Sequence, residues 1–372
     1  MNGKAEWRRK FVLVVGDGIA GLALARALRQ RGVPVARSGG TPRPGLAINL
    51  PGNAITALDR LGLRDEIESL GTPTRRREYR TSRGRLLFAV DEDEFWGPAA
   101  RPRCVRRADL LDALADSVPA EHAPIASVRP VAGGAEVLDA DGFRAEYGFL
   151  AGADGVRSTV RSALFPEALF PEAGTGRAVL SQASWRFMTP NPGVDCWTVW
   201  SGAGAAFLLI PVDNQVYGYA SATGGGAVAA DPSWLADTFA GYAEPVSSVV
   251  DAVLRSPSTL LHSPVDEVRA PSWSSGRCVL LGDAAHATAP VWAEGGALAL
   301  EDALTLADLL ATSDWDAVGP AFEAARRGRV AHVRAMTDRF AKTVGLPIWL
   351  RDVVTPWVGP RTYRSTYGPL RS

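Results

Sequence analysis

Phe11-Val12-Leu13-Val14-Val15-Gly16-Asp17-Gly18-Ile19-Ala20-Gly21-Leu22 is the stretch on which the fold turns. A short apolar run rich in β-branched residues reaches a glycine without a polar break, as a strand buried in a parallel sheet does. The glycines then follow the spacing Gly-x-Gly-x-x-Gly. Gly16 permits a tight turn, Gly18 lets backbone approach a pyrophosphate, and Gly21 lets helix and strand pack closely. Leu22–Gln30 has helical composition and Gly32 supplies a C-terminal stop. The start of that helix offers its partial positive charge to phosphates. With Val33–Ala36 as the next strand, the opening reads as a βαβ unit that binds a dinucleotide.

One expected part of such a unit is missing. An acid about 20 residues on normally binds the adenosine ribose. No Asp or Glu stands between Asp17 and Asp59. The segment Ala36-Arg37-Ser38-Gly39-Gly40 occupies the place, so Arg37 or Ser38 substitutes, or backbone alone holds the ribose. Arg37 also suits a 2′-phosphate, which would make the ligand NADP.

Composition narrows the class. The chain has 372 residues, 47% apolar and 22% charged, which is more than one ordinary core and unlike a disordered chain. Lys+Arg and Asp+Glu are equal at 40, so there is no global attraction to nucleic acid or to an anionic membrane. Cys104, Cys196 and Cys278 lie far apart, which argues against a disulfide framework and a structural zinc. His122, His262, His286 and His332 show no metal-ligand spacing, and no metal is expected. Arg8-Arg9-Lys10-Phe11 before an apolar run resembles a twin-arginine export signal. Gly16, Asp17, Gly18 and Gly21 interrupt that run, as a nucleotide turn requires and an export core tolerates poorly. The chain is therefore read as cytoplasmic, and no apolar run is long enough to span a membrane.

Further along, Ala54–Leu61, Arg64–Leu70 and Ala108–Ser117 read as helices, and Ala135–Phe149 as two strands around Asp141-Gly142. Arg75–Val90, with Arg75, Arg76, Arg77, Arg80, Arg83 and Arg85, reads as a solvated hairpin. From Ser181 to His262 short aromatic-rich runs between Gly, Pro and Asn read as a mainly antiparallel sheet. Val279–Leu281 is again a buried strand. Glu294–Leu310 and Pro320–Val344 read as helices, the second with proline at its first position, and the proline-spaced tail as irregular.

Two more segments carry chemistry. Gly152-Ala153-Asp154-Gly155-Val156-Arg157-Ser158-Thr159-Val160-Arg161 looks like a strand end, a turn and a helix start, with Asp154 as a cap. Gly276-Arg277-Cys278-Val279-Leu280-Leu281-Gly282-Asp283-Ala284-Ala285-His286 is a strand ending in Gly-Asp, followed by Pro290 and by Glu294-Gly295-Gly296 opening a helix. Together with the opening, and with Arg107-Ala108-Asp109-Leu110 between them, these segments resemble the signature set of the flavoprotein aromatic hydroxylases of the para-hydroxybenzoate hydroxylase type. The likeness covers roughly residues 11–165 and 273–340.

The resemblance implies an α/β fold: a Rossmann-like βαβ FAD-binding domain with an inserted, mainly antiparallel-sheet substrate domain. The FAD domain is expected over 1–75, 101–175 and 271–345, the substrate domain over 76–100 and 176–270, and a tail over 346–372. FAD is the implied cofactor and NAD(P)H its transient reductant. Gly16, Gly18, Ala20, Gly21, Arg37, Arg107, Asp154, Asp283, Pro290, Gly295 and Gly296 are the implied FAD contacts. Gly295 and Gly296 have an independent reason, because a helix N-terminus stabilises negative charge on a reduced flavin ring. Glu294 is unfavourable there if ionised and inward, and is expected to point outward. No acid–base catalyst is assigned. Arg186, Tyr217 and Tyr219 are candidates on the substrate side, the tyrosines sharing one sheet face by their period of two. His286 is expected to be a packed residue bonded to backbone.

The implied reaction is monooxygenation. NAD(P)H reduces FAD, O₂ gives a flavin C4a-hydroperoxide, and an OH passes to an aromatic or polyketide-like small molecule. Baeyer–Villiger oxidation, epoxidation and isoprenoid reduction remain open on the same cofactor. So does a redox-silent protein with weak FAD binding. The oligomer is a monomer or homodimer.

Overall fold

The computed structural model describes residues 8–39, 45–115, 119–166, 175–177, 181–344 and 347–371. Gly40 and Ser117 lie outside them. β1 (Val12–Val15) is buried along its whole length and pairs in parallel with β2 (Val35–Ser38) and β12 (Phe149–Gly152). The six-stranded sheet runs β20 (Ser274–Ser275), β21 (Cys278–Leu280), β12, β1, β2, β8 (Ala120–His122), and only β20 is antiparallel to its neighbour. α1 (Ile19–Gln30) joins β1 to β2. Gly32 takes φ +70° after it. The second strand starts two residues later than expected because the Val33 N–H still closes the helix end, donating to the Leu28 carbonyl.

β3 (Ala47–Leu50), β7 (Arg103–Arg106) and β4 (Thr72–Pro73) form a small antiparallel strip beside α2 (Gly52–Arg60), α3 (Arg64–Ser69) and α5 (Arg107–Leu114). β9 (Ile125–Val131), β10 (Gly134–Asp139) and β11 (Arg144–Tyr147) form a meander. Its Asp141-Gly142 turn is held by the Asp139 carboxylate, which accepts the N–H groups of Asp141 and Phe143. Phe149 does not end that hairpin. It opens β12 in the central sheet.

The expected antiparallel sheet has seven strands: β18 (Leu261–Pro264), β14 (Ala183–Pro190), β17 (Gln215–Ala222), β16 (Ala205–Val212), β15 (Trp197–Ser201), β5 (Arg76–Thr81) and β6 (Leu86–Asp91). Only β15 and β5 pair in parallel. The Arg75–Val90 hairpin therefore forms, but it is not merely solvated. Its edge completes the sheet, and Arg77 is buried in an ion pair with Glu92 of α4 (Glu92–Trp96). α7 (Ser233–Phe239) and α8 (Val246–Leu254) cover one face, packing on Phe187 and Phe207. A two-stranded ladder joins β13 (Thr175–Arg177) to β19 (Asp266–Val268).

The remaining helices are α6 (Thr159–Leu164), α9 (Asp283–His286), α10 (Glu294–Thr312), α11 (Trp315–Val344) and α12 (Ile348–Tyr367). Pro320 lies inside α11 rather than opening it. Asp314 starts the helix earlier, its carboxylate accepting the Asp316 N–H. The tail is a helix, not irregular chain, although Pro356 and Pro360 lie within it. Burial of Tyr363, Tyr367 and Leu370 in the main core outweighs the lost hydrogen bonds. The architecture is the expected α/β fold with an antiparallel sheet of its own. Among the described residues no helix is long and apolar enough to cross a membrane.

Candidate active site

A cleft of about 780 Å³ opens where β1, α1 and α10 meet the seven-stranded sheet. The three glycines of the opening turn have different surroundings. Gly16 adopts φ +123° and a Cβ there would strike the Ala153 carbonyl. A Cβ on Gly21 would strike the Gly16 carbonyl, so this glycine sets how closely α1 approaches β1. Gly18 has open space before it and lines the cleft with Ala20. α1 has no acidic residue in its first turn and no side-chain cap, so its positive end is left for a ligand. Arg37 lies off the cleft wall and its guanidinium is engaged by Asp17 of the same turn.

The two later motifs lock together. Ser158 caps α6 by accepting the Arg161 N–H at 2.8 Å. The Arg161 side chain donates to the Val156 carbonyl at 2.7 Å and to the Ala284 carbonyl at 2.9 Å. Asp154 accepts the Val160 N–H at 3.1 Å, while its other oxygen is buried with no partner among the described residues. Burial pushes its carboxyl upward. Gly155 and Val156, rather than Asp154, reach the cleft.

Asp283, Pro290, Gly295 and Gly296 line the cleft with Arg107. Asp283 is exposed where it lines the cleft. Desolvation by the surrounding cleft wall pushes its carboxyl up, and His286 and Arg107 oppose that. Gly45 passes so close to Arg107 that a Cβ would collide with its side chain. Gly296 packs on Ile48, and the next residue, Asn49, was not found from the sequence. Asn49 lines the cleft and is 6% exposed, and neither its amide nitrogen nor its oxygen has a partner among the described residues. A buried carboxamide left so is costly unless a ligand supplies a donor and an acceptor. The pyrimidine edge of a flavin offers that pair, and the residues present fit FAD.

Two buried polar clusters lie behind this wall. Asp302 is 0% exposed, and one of its oxygens accepts from the Gly282 N–H at 2.9 Å and His286 Nε2 at 2.6 Å. Its other oxygen accepts from Arg326 at 2.7 Å. His286 is thus a packed residue, but its partner is this carboxylate rather than backbone. Glu294 corrects the expectation of an outward side chain. It is 1% exposed, accepts from Asn53 Nδ2 at 2.9 Å, and does not line the cleft. Burial pushes its carboxyl up to about 8, so it is neutral beside Gly295 at pH 7.

The rest of the cleft is aromatic and apolar. Tyr79 stacks on Phe88 at 4.1 Å, with Trp197, Leu208 and Ile210 nearby. Tyr217 and Tyr219 both line it, and the Arg186 guanidinium lies over the Tyr219 ring at 5.8 Å. Burial raises both phenols above their ordinary value against the pull of Arg186. They are protonated donors, not bases.

Residues 9–339 match the FAD binding domain family. The chain is 30% identical over 339 residues to the 2-heptyl-3-hydroxy-4(1H)-quinolone synthase of Pseudomonas aeruginosa, covering 87% of this chain and 86% of that protein. It is 31% identical over 319 residues to the aurachin C monooxygenase/isomerase of Stigmatella aurantiaca, covering 80% of each. Its fold is similar to that of Klebsiella pneumoniae HpxO complexed with FAD and uric acid, with a TM-score of 0.77, 27% identity, and coverage of 97% of this chain and 92% of that one. The chain belongs to the FAD-dependent monooxygenases of the FAD binding domain family.

Proposed function

We propose that the protein hydroxylates an electron-rich aromatic small molecule held between the flavin side of the cleft and the tyrosine-bearing face of the seven-stranded sheet. The observation that carries this reading is the sharing of one cleft by Gly295 and Gly296 with Arg186, Tyr217 and Tyr219. Bound FAD supplies the redox chemistry, taking electrons from NAD(P)H and passing oxygen from O₂ to the substrate. The chain holds and orients. Gly18 and the α1 N-terminus receive the pyrophosphate, Asp283 and Arg107 the ribityl region, and Asn49 with Gly295 and Gly296 the ring edge. Gly16 and Gly21 shape the turn, while Asp154 and Arg37 support it from behind. Tyr217 and Tyr219 donate to the polar substituents of the ring, and Arg186 balances negative charge. The stacked Tyr79 and Phe88 exclude water from the reacting face.

The reading divides the chain into a flavin unit of 1–75, 101–175 and 271–345 and a substrate unit of 76–100 and 176–270. It places a monomer or homodimer in the cytoplasm, where the buried thiols of Cys104, Cys196 and Cys278 are undisturbed. The quinolone in one relative's name favours a fused aromatic ring as substrate.

The test is the visible spectrum of the purified protein with FAD. Flavin bands that bleach with NADPH and return in air are expected, followed by gain of one oxygen atom in an aromatic substrate. A colourless protein that does not retain FAD would make this a redox-silent relative. Asn49→Leu is expected to weaken FAD retention at least tenfold in equilibrium dialysis, since it removes both hydrogen-bonding atoms from the cleft wall. Gly21→Val is expected to abolish flavin binding and to cost about 1–3 kcal/mol of stability, because α1 must back away from β1. Undiminished flavin absorbance in that variant would refute the packing argument.

A further inference from the structure

α12 has two faces of opposite use. Val354, Thr355, Val358, Thr362 and Tyr363 line the cleft, so this one helix forms part of its outer wall. Trp349, Val353 and Trp357 follow at intervals of four, which places them in one stripe. They are 70%, 65% and 72% exposed. Soluble monomers seldom leave two tryptophans so open two turns apart on one helix.

The exposed charges of this helix share one sign. Arg361, one turn beyond Trp357, and Arg364 are exposed. The stripe carries no carboxylate. Asp352, the acid of this helix, lies to the side of it and is only 18% exposed, 3.6 Å from Arg85 and from Arg351. Arg85 belongs to the turn between β5 and β6, where Arg83 and Leu86 are also exposed. The net charge of zero thus hides a local patch of tryptophan, aliphatic and arginine side chains.

We propose that the outer face of α12 docks on an anionic lipid surface, lying parallel to it. Tryptophan rings settle at the headgroup level and arginines pair with lipid phosphates. Parallel docking agrees with the lack of a spanning helix among the described residues. A second copy of the chain fits less well, because the same stripe on a partner offers Arg361 and Arg364 no carboxylate to pair with. Docking opens a route for an apolar ligand from the bilayer past Val354 and Val358 into the cleft. Docking stands without the catalytic reading, while delivery of an aromatic substrate rests on it.

The experiment is co-sedimentation of the full chain, FAD added, with vesicles of phosphatidylcholine alone or mixed equally with phosphatidylglycerol. Binding to the mixed vesicles is expected, and at least tenfold weaker binding to the neutral ones. Trp349→Ala with Trp357→Ala should lower binding more than tenfold. Arg361→Ala with Arg364→Ala should lower it by roughly fivefold per arginine. These side chains do not line the cleft, so the melting temperature should hold in both double variants. Failure of the parent to sediment with the mixed vesicles overturns the proposal. So does a concentration-dependent dimer in sedimentation velocity that the tryptophan pair abolishes, which would make the partner a second copy. Neither result touches flavin binding or turnover, which are read separately.

Discussion

Asp302→Ala is expected to unfold at much lower urea than the parent, with a loss of about 3–5 kcal/mol, because it leaves the Arg326 guanidinium buried and unpaired. The same change frees the Gly282 N–H and His286 from their shared acceptor. Gly282 sits at φ +58° directly before Asp283, so the variant should also hold flavin less tightly. The acid limb of the parent's stability curve reports the same group. Burial acts to raise the Asp302 carboxyl, but His286 and Arg326 outweigh it and hold it at about 2. Its contribution is complete above the ordinary value of 3.8 and drains away as pH falls toward about 2. Urea midpoints at pH 3 and pH 6 test this. An Asp302→Ala protein within 1 kcal/mol of the parent at pH 6 would show that the carboxylate is dispensable.

Glu294→Gln has the opposite sign. The buried carboxyl is protonated in the fold up to about 8 and ionises near 4.5 when unfolded. Between those values the folded chain binds more protons, so the parent loses stability as pH rises, by up to about 1.4 kcal/mol per pH unit. Asn53, Glu301, Arg329 and Arg77 are the groups that act on it, and Glu301 opposes its ionisation. The amide cannot ionise but still bonds Asn53. It should match the parent near pH 5 and exceed it by several kcal/mol above pH 8. A variant whose stability falls with the parent's slope across this window would show that Glu294 is already charged in the fold. The neutral side chain also means that Glu294 adds no carboxylate charge beside Gly295.

What could be read from the chain was what lies in consecutive residues. The turn at Gly16–Gly21, the Asp154–Arg161 segment and the Gly282–His286 segment each carry their residue pattern within about ten positions, although Ala153, Ala284 and Asp302, which they meet, come from elsewhere in the chain. Their spacing is therefore visible without a fold. The period of two that set Tyr217 beside Tyr219 is equally local. Partners brought from afar were not visible. Arg77 reads as surface until Glu92 and Tyr367 enclose it, and Asp302 looks like one acid of an ordinary helix until Arg326 packs beside it. Asn49 gave no signal either, since only its lack of partners marks it. The tail misled because proline spacing speaks for irregular chain, while Tyr363 and Tyr367 bind it to a core assembled from distant segments.

The parallel pairing of β5 with β15 sets Tyr79 opposite Val199, 120 positions later in the chain. A ribosome adding about 5–20 residues per second needs roughly 6–24 s to supply that partner. Through that interval the nascent hairpin offers a bare strand edge on which other growing chains can pair. Arg76, Arg80, Arg83 and Arg85 lie on that hairpin, Arg76 and Arg80 paired with Glu78, and charged side chains along a bare strand disfavour such pairing. The charges of this hairpin thus bear on the interval before its partner strand is made as well as on the finished sheet.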